Sequence, residues 1–503
     1  MTLGDTRPDD STPGPVPAEF DTLASPTAGG AAIRGGALRV TGYFFGVLLS
    51  VLSAAVLFRY LGPDDAGKYV TVLAIVAIVG SMFDGGLHSL AIRETSVRRG
   101  SDRSAVIDDL LGMRVVMGAV AILLAAGLAA VLGYGPSLVL GSALASLGLV
   151  LWSTHLIRAA PLVAGLRLGW VTAIDLFRNA GAVVLTLAGV AAGLGLIAFL
   201  AVPIPVAAVA VVWTAVLVRT QISLRPSFQL DAWRVLLRDV VPYALATAAG
   251  LLYFRVAVVL LALIASAHET GLYSAAFRTV EVLLIVPQLA VSTVLPIFAH
   301  AASKDRDRLA YGVDRTFRTA AVFGGGLTVV LALGAPFAIA VVAGPDFSGA
   351  ADMLRIQAVG LGIALVTAVF TYALLSLRMH RELLYANLAA LAVSVVLTLA
   401  LGSAWGGVGA AMATAIAELC LAGSAVWLLV RAHPELRPKW SFLSRILVAG
   451  LAAAALALIP APSVVLAVAG AVVYTALVLA LRAVPEELLV ELGRVRQLRS
   501  ARS

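Results

Sequence analysis

The sequence predicts an all-α integral membrane protein of about fourteen transmembrane helices. Three observations predict it. Of 503 residues, 61% are apolar and only 13% charged, against roughly 25% charged in a soluble domain. A water-soluble chain of this length could not hide so much apolar surface, whereas a bilayer lets helices be apolar on most faces. Runs of about 20 apolar residues, the length that crosses the hydrocarbon core, recur along the chain. Basic residues cluster in every second connection between those runs.

The first 36 residues are rich in Pro, Asp, Thr and Gly and read as a disordered tail. They have no basic start followed by an apolar stretch, so they do not read as a signal peptide. Spans follow near 37–61, 67–93, 109–133, 137–160, 170–191 and 194–218. A polar connection over 219–237 separates these from a second set near 238–264, 271–299, 316–343, 350–377, 382–402 and 406–431. Two more, near 442–460 and 463–483, precede a tail over 484–503. The chain thus divides into 1–36, an N-terminal lobe 37–218, a connection 219–237, a C-terminal lobe 238–431, an appended pair 432–483 and the tail. Within that tail, Leu488, Leu489 and Leu492 share a helical face, which suits either a short helix on the inner leaflet or a solvated tail.

Lys and Arg near span ends gather on the cytoplasmic side. With both termini cytoplasmic, the inner connections hold Arg98, Arg99 and Arg103; Arg167; Arg219, Arg225 and Arg234; Lys304, Arg306, Arg308 and Arg315; Arg381; Arg437 and Lys439. The outer ones hold little beyond Lys68. One missed helix would invert every later connection, so the alternation argues for an even count. It also assigns the net charge of +8 to membrane topology rather than to nucleic acid. The single cysteine, Cys420, rules out an intrachain disulfide and reads as a small buried hydrophobe. No metal-ligand spacing, phosphate-cradling Gly loop or nucleophile elbow is present, so no metal, cofactor or catalytic residue is expected.

Asp65-Ala-Gly67-Lys-Tyr69 and Glu269-Thr-Gly271-Leu-Tyr273 have the same acid-x-Gly-x-Tyr pattern, 204 residues and six spans apart. An even offset implies a parallel repeat: two pseudo-symmetric six-helix lobes around a central cleft, plus two C-terminal helices.

FRYLGPDDAGKY (58–69) and FDGGLHSLAIRE (83–94) resemble the opening of the polysaccharide flippases. These are the O-antigen-type exporters of the multidrug/oligosaccharidyl-lipid/polysaccharide superfamily. ETGLYSAAFRTVE (269–281), STVLPIFA (292–299), GPDFSGAADMLRIQA (344–358) and GGVGAAMATAIAE (406–418) continue the resemblance in order. It implies alternating access in a bacterial plasma (inner) membrane and transport of a polyprenyl-diphosphate-linked oligosaccharide to the outer leaflet for surface polysaccharide. It also implies membrane lipids, and a polymerase or glycosyltransferases, as partners. Two alternatives stay open: a cation-coupled multidrug extruder of the same fold, and a peptidoglycan lipid-precursor flippase. A non-transporting envelope scaffold is not excluded by the residues. An enzyme is not expected, since no connection between spans exceeds about 20 residues and no sizeable soluble domain is read.

An ionised side chain at mid-bilayer costs roughly 2.5–3.5 kcal/mol, so such residues face a cavity or a partner. Candidates to bind an anionic cargo are Arg255, Arg59, Arg39, Arg278 and Arg178, because guanidinium stays charged and forks onto phosphate oxygens. Candidates for coupling or counter-ion roles are Glu418, Asp84, Glu281 and Asp175. The spacing of Asp175 with Arg178, Arg278 with Glu281 and Asp352 with Arg355 also allows local pairing. Arg39 and Arg59 lie near span ends and can snorkel; Asp84 opens a DGG segment that suits a helix bend. Arg255 and Glu418 have no local partner, so each faces the cleft or they pair with each other. Tyr43, Tyr253 and Tyr273 read as packing or interfacial residues, or as surfaces for sugar rings.

Overall fold

The structure, a computed structural model, describes residues 28–84, 86–98, 100–223, 225–229, 233, 250–284, 294–295, 297–302 and 304–483. The start of the tail, loop residues Arg99 and Arg234, the first half of the seventh span, the end of the eighth and the C-terminal tail lie outside these residues. Helices account for the regular structure among them, in keeping with a medium that leaves backbone groups no water to bond.

In chain order the helices are α1 (Ala28–Asp84), α2 (Leu87–Val97), α3 (Gly100–Val131), α4 (Pro136–Ala164), α5 (Leu168–Ala191), α6 (Leu196–Ala201) and α7 (Pro203–Val218). Then come α8 (Gly250–Ile264) and α9 (Ala267–Leu283). The remainder are α10 (Arg306–Leu333), α11 (Ala335–Val342), α12 (Ala350–Ser376), α13 (His380–Ala432), α14 (Leu443–Ala454) and α15 (Ser463–Ala480). Ten helical stretches among the described residues are long and apolar enough to cross a membrane. Two of these fold back within themselves. α1 turns at Gly62 (φ 68°), and Pro63 reopens the helix where a proline without an N–H is tolerated. α13 turns at Trp405 and Gly406. Taking each arm separately, together with α8 and α9, accommodates the fourteen spans read from sequence.

The span near 67–93 is broken by its DGG segment: α1 ends at Asp84, and Gly86, at φ 125°, precedes α2. Similarly, α10 begins ten residues earlier than expected and gives way to α11 after Gly334. Two polar N-caps start helices at charged sequence. Ser266 Oγ accepts from Glu269 N at 3.2 Å, and Asp305 Oδ1 from Arg308 N at 2.9 Å.

Packing among α1–α7 and among α8–α13 forms two halves, and α14 and α15 dock on α10. Helix contacts use small side chains; Ala257, Ala275, Ala276, Ala410, Ala411 and Ala413 are all buried. In lipid, close backbone approach substitutes for a hydrophobic driving force between helices. Large apolar residues such as Leu123, Leu451 and Val472 are exposed and face the position of the bilayer. Thr and Ser hydroxyls inside the helices return to carbonyls one turn back, as Thr71 does to Gly67 O at 2.8 Å.

The repeat motifs meet each other. A Cβ on Gly67 would lie 2.1 Å from the carbonyl oxygen of Ala267, and one on Gly271 would lie 1.9 Å from that of Pro63. Pro63 and Ala267 are themselves 204 residues apart, so the contact is reciprocal, as across a two-fold axis. Around it, Phe58 stacks on Phe347 at 5.7 Å. Glu269 accepts from Gly407 N at 2.9 Å, which ties the α9 start to the α13 turn. The two halves are therefore joined tightly at the Gly62 turn within α1, the Gly62 end of the molecule.

Candidate functional site

Next to that joint, which contributes Phe58 and Tyr69 to the wall, a cavity of about 550 Å³ lies between the halves. α1 contributes Ser50 and Ser53, α4 Trp152, and α5 Arg178 and Asn179; from the other half come Arg255 on α8 with Arg278 and Glu281 on α9. The remaining walls are largely apolar. A second cavity of about 330 Å³ shares Ser50, Arg178 and Asn179 with the first and extends along α1 to Tyr43, Arg39 and, on α5, Asp175. Polar lining therefore runs from mid-membrane toward the N-terminal end of α1.

Glu281 is the centre of the charge arrangement. One carboxylate oxygen accepts from Arg255, whose guanidinium comes from the neighbouring helix; the other accepts from Arg278 Nη1 at 2.6 Å. Arg278 also donates through Nη2 to Ser50 Oγ at 2.5 Å, across the junction between halves. The Arg255 guanidinium lies 5.6 and 5.7 Å from the Phe254 and Phe277 ring centres, a stabilising cation–π placement. Its Nε is buried without a hydrogen-bond partner among the described groups. The side chains are only partly exposed, 19% for Arg255 and 20% for Glu281, so charge there is weakly screened.

Arg255 and Glu418 do not pair with each other. Arg255 takes Glu281, while Glu418 Oε2 accepts from Tyr253 OH at 2.8 Å in the interior of the C-terminal half. Asp175 and Arg178 share a helix face without closing an ion pair; Arg178 lies 4.5 Å over the Trp152 ring instead. Arg278–Glu281 and Arg355–Asp352 do form the local pairs that their spacing allows, the latter at 2.5 Å and exposed. Arg59 stands outside the cavity. Its guanidinium donates to Ala340 O and Val341 O at 2.8 and 2.9 Å, capping the last carbonyls of α11 across the junction. Arg39 is exposed at the mouth of the smaller cavity. Asp84 closes α1, and its side chain is outside the described set. Tyr273 is fully buried and stacks on Phe277, Tyr253 serves Glu418, and Tyr43 borders the smaller cavity.

Sequence reading passed over Ser50, Trp152 and Asn179. Ser50 carries no signal of its own; it matters because α9 lies beside α1. Trp152 sits beside an arginine only through helix packing, and Asn179 could have been noticed as the polar neighbour of Arg178.

This is a polytopic transporter fold, two helical halves closed at one end around a charged central cavity. The structure resembles that of a lipid II flippase, MurJ, in an inward closed conformation. The TM-score is 0.70 at 14% identity, covering 88% of this chain and 97% of that one. A multidrug resistance MATE family transporter of the MOP superfamily in an inward-facing conformation gives 0.65 at 12% identity, covering 79% and 98%. An outward-facing MATE transporter gives 0.55 at 13%, covering 84% and 99%. No curated protein matches the chain in sequence. The polysaccharide biosynthesis protein family does, over residues 56–352, and the chain belongs to that family.

Proposed function

We propose that this protein is a flippase that carries a polyprenyl-diphosphate-linked oligosaccharide from the cytoplasmic to the outer leaflet of a bacterial plasma membrane for surface polysaccharide synthesis. The observation that carries the reading is the charge of the connected cavities. Arg39, Arg178, Arg255 and Arg278 line them against Asp175 and Glu281, an excess of two positive charges. A diphosphate joined at both ends carries one negative charge on each phosphate, so the two charges balance. Guanidinium forks suit phosphate oxygens. Trp152 offers a flat apolar surface to a sugar ring, while the acyl tail stays in lipid.

The family supports work on polysaccharide, and the fold supports alternating access. The tight joint at the Gly62 end and the polar lining toward the N-terminal end of α1 support a cavity facing the cytoplasm, with both termini on that side. A cationic drug would meet a repulsive field in the same cavity, which disfavours the extruder. A peptidoglycan precursor has the same diphosphate, so the charge balance alone does not separate it from the proposed cargo. Glu418, away from the cavity, is assigned the coupling or counter-ion role, and polysaccharide polymerase or glycosyltransferases are the expected neighbours.

The test is Arg255→Ala. Surface polysaccharide falls and lipid-linked precursor accumulates, at unchanged protein level. Normal polymer with normal protein level overturns the reading of this cavity, and drug sensitivity with unaltered envelope sugars favours the extruder.

A further inference from the structure

A carrier of one scarce lipid works in a membrane crowded with anionic phospholipids, each of which also offers a phosphate to an arginine. An all-arginine cavity would accept them. The position of Glu281 answers that problem. Its two oxygens already occupy Arg255 and Arg278, the pair of cations supplied by the C-terminal half. A lone phosphate entering there exchanges carboxylate bonds for phosphate bonds one for one and brings its charge against the carboxylate. Its net gain is small, because each charge-assisted bond it forms replaces one of similar strength. A diphosphate has a second charged group. That group has Arg178 within the same cavity, so binding does not require Glu281 to leave.

We propose, resting on the lipid-diphosphate reading above, that Glu281 is a specificity determinant that excludes singly charged phospholipids from the cavity. Removing its charge frees two guanidiniums for a single phosphate. It raises the excess of positive charge without adding any group that recognises sugar.

The full-length protein, wild type or Glu281→Gln, is reconstituted into phosphatidylcholine vesicles that contain a trace of fluorescent phosphatidylglycerol. Flipping of that probe is followed by leaflet-specific quenching. Glu281→Gln is expected to raise it by about tenfold, the change that 1.4 kcal/mol makes, and Glu281→Asp to stay at the wild-type level. An unchanged rate in Glu281→Gln, or an equal rise in Glu281→Asp, overturns the proposal. Wild-type protein supplies a measurement free of any folding defect. A hundredfold excess of phosphatidylglycerol, an amount of order two decades chosen to reveal weak competition, should fail to displace a short-chain polyprenyl-diphosphate-linked sugar; displacement overturns the proposal. Absence of any binding by that diphosphate sinks the cargo reading instead, so the two failures are told apart.

Discussion

At the residue scale, Arg278 does what a lysine could not. One guanidinium nitrogen holds Glu281 and the other holds Ser50 in the opposite half; an ammonium is a point donor on a flexible stem. Arg278→Lys is expected to lower transport in proteoliposomes about tenfold, roughly the loss of one charge-assisted hydrogen bond, with little change in the amount of folded protein. Tyr253→Phe tests a different contact. It strips Glu418 of the hydroxyl that donates to it, and a buried acceptor left unpaired costs about 1–3 kcal/mol. A lower melting temperature in detergent is expected, and an unchanged one would mean that Glu418 finds another donor. The candidate charges were legible as a set, because arginine and carboxylate in apolar runs stand out at once. Their partners were not. Glu281 lies 26 positions from Arg255, and no spacing rule connects two different helices.

At the element scale, the Gly67 and Gly271 crossing permits the close joint between α1 and α9. Gly271→Val places carbon where the Pro63 carbonyl oxygen now stands, so the halves must separate there. In a Cys420→Ser background, a cysteine at Leu57, which is 4% exposed at present, should then react faster with a membrane-impermeant thiol reagent added from the Gly62 side. Equal reactivity with and without the valine would mean that the glycines do not hold that face shut. The repeated acid-x-Gly-x-Tyr pattern identified these positions in advance; their mutual contact was not foreseen. The spans themselves were readable from length and apolarity. The break inside the second span depended on glycine, whose effect on φ is local: Gly86 interrupts 67–93 from within, whereas Gly62 and Gly406, also at positive φ, fall at boundaries between spans.

At the scale of the whole molecule, α14 and α15 form an appendage to the second half rather than part of either bundle. Their seat on α10 is cut by two consecutive glycines. Gly325 and Gly326 admit the ring of Tyr474, whose hydroxyl donates to Val322 O at 2.8 Å, while the preceding Gly324 admits the backbone of Gly362 on α12. Tyr474→Phe is expected to cost about 0.5–1.5 kcal/mol, one ordinary hydrogen bond, read as a small fall in thermal stability with transport retained. Gly325→Leu, which fills the seat, should lower stability further and loosen the pair. An equal effect of the two substitutions would mean that the ring contributes little by its shape.

The sequence by itself determined the solvent of this protein, the number and order of its spans, and the likeness of its two halves. These follow from composition, run length and a repeated motif, all of which are properties of one strand read in order. The tertiary structure decided which arginines share a cavity, which carboxylate they share, and at which end the halves close. Helices in lipid choose partners by the fit of small surfaces and by a few hydrogen bonds. Such a fit depends on faces distant in the chain, and only folding brings them together.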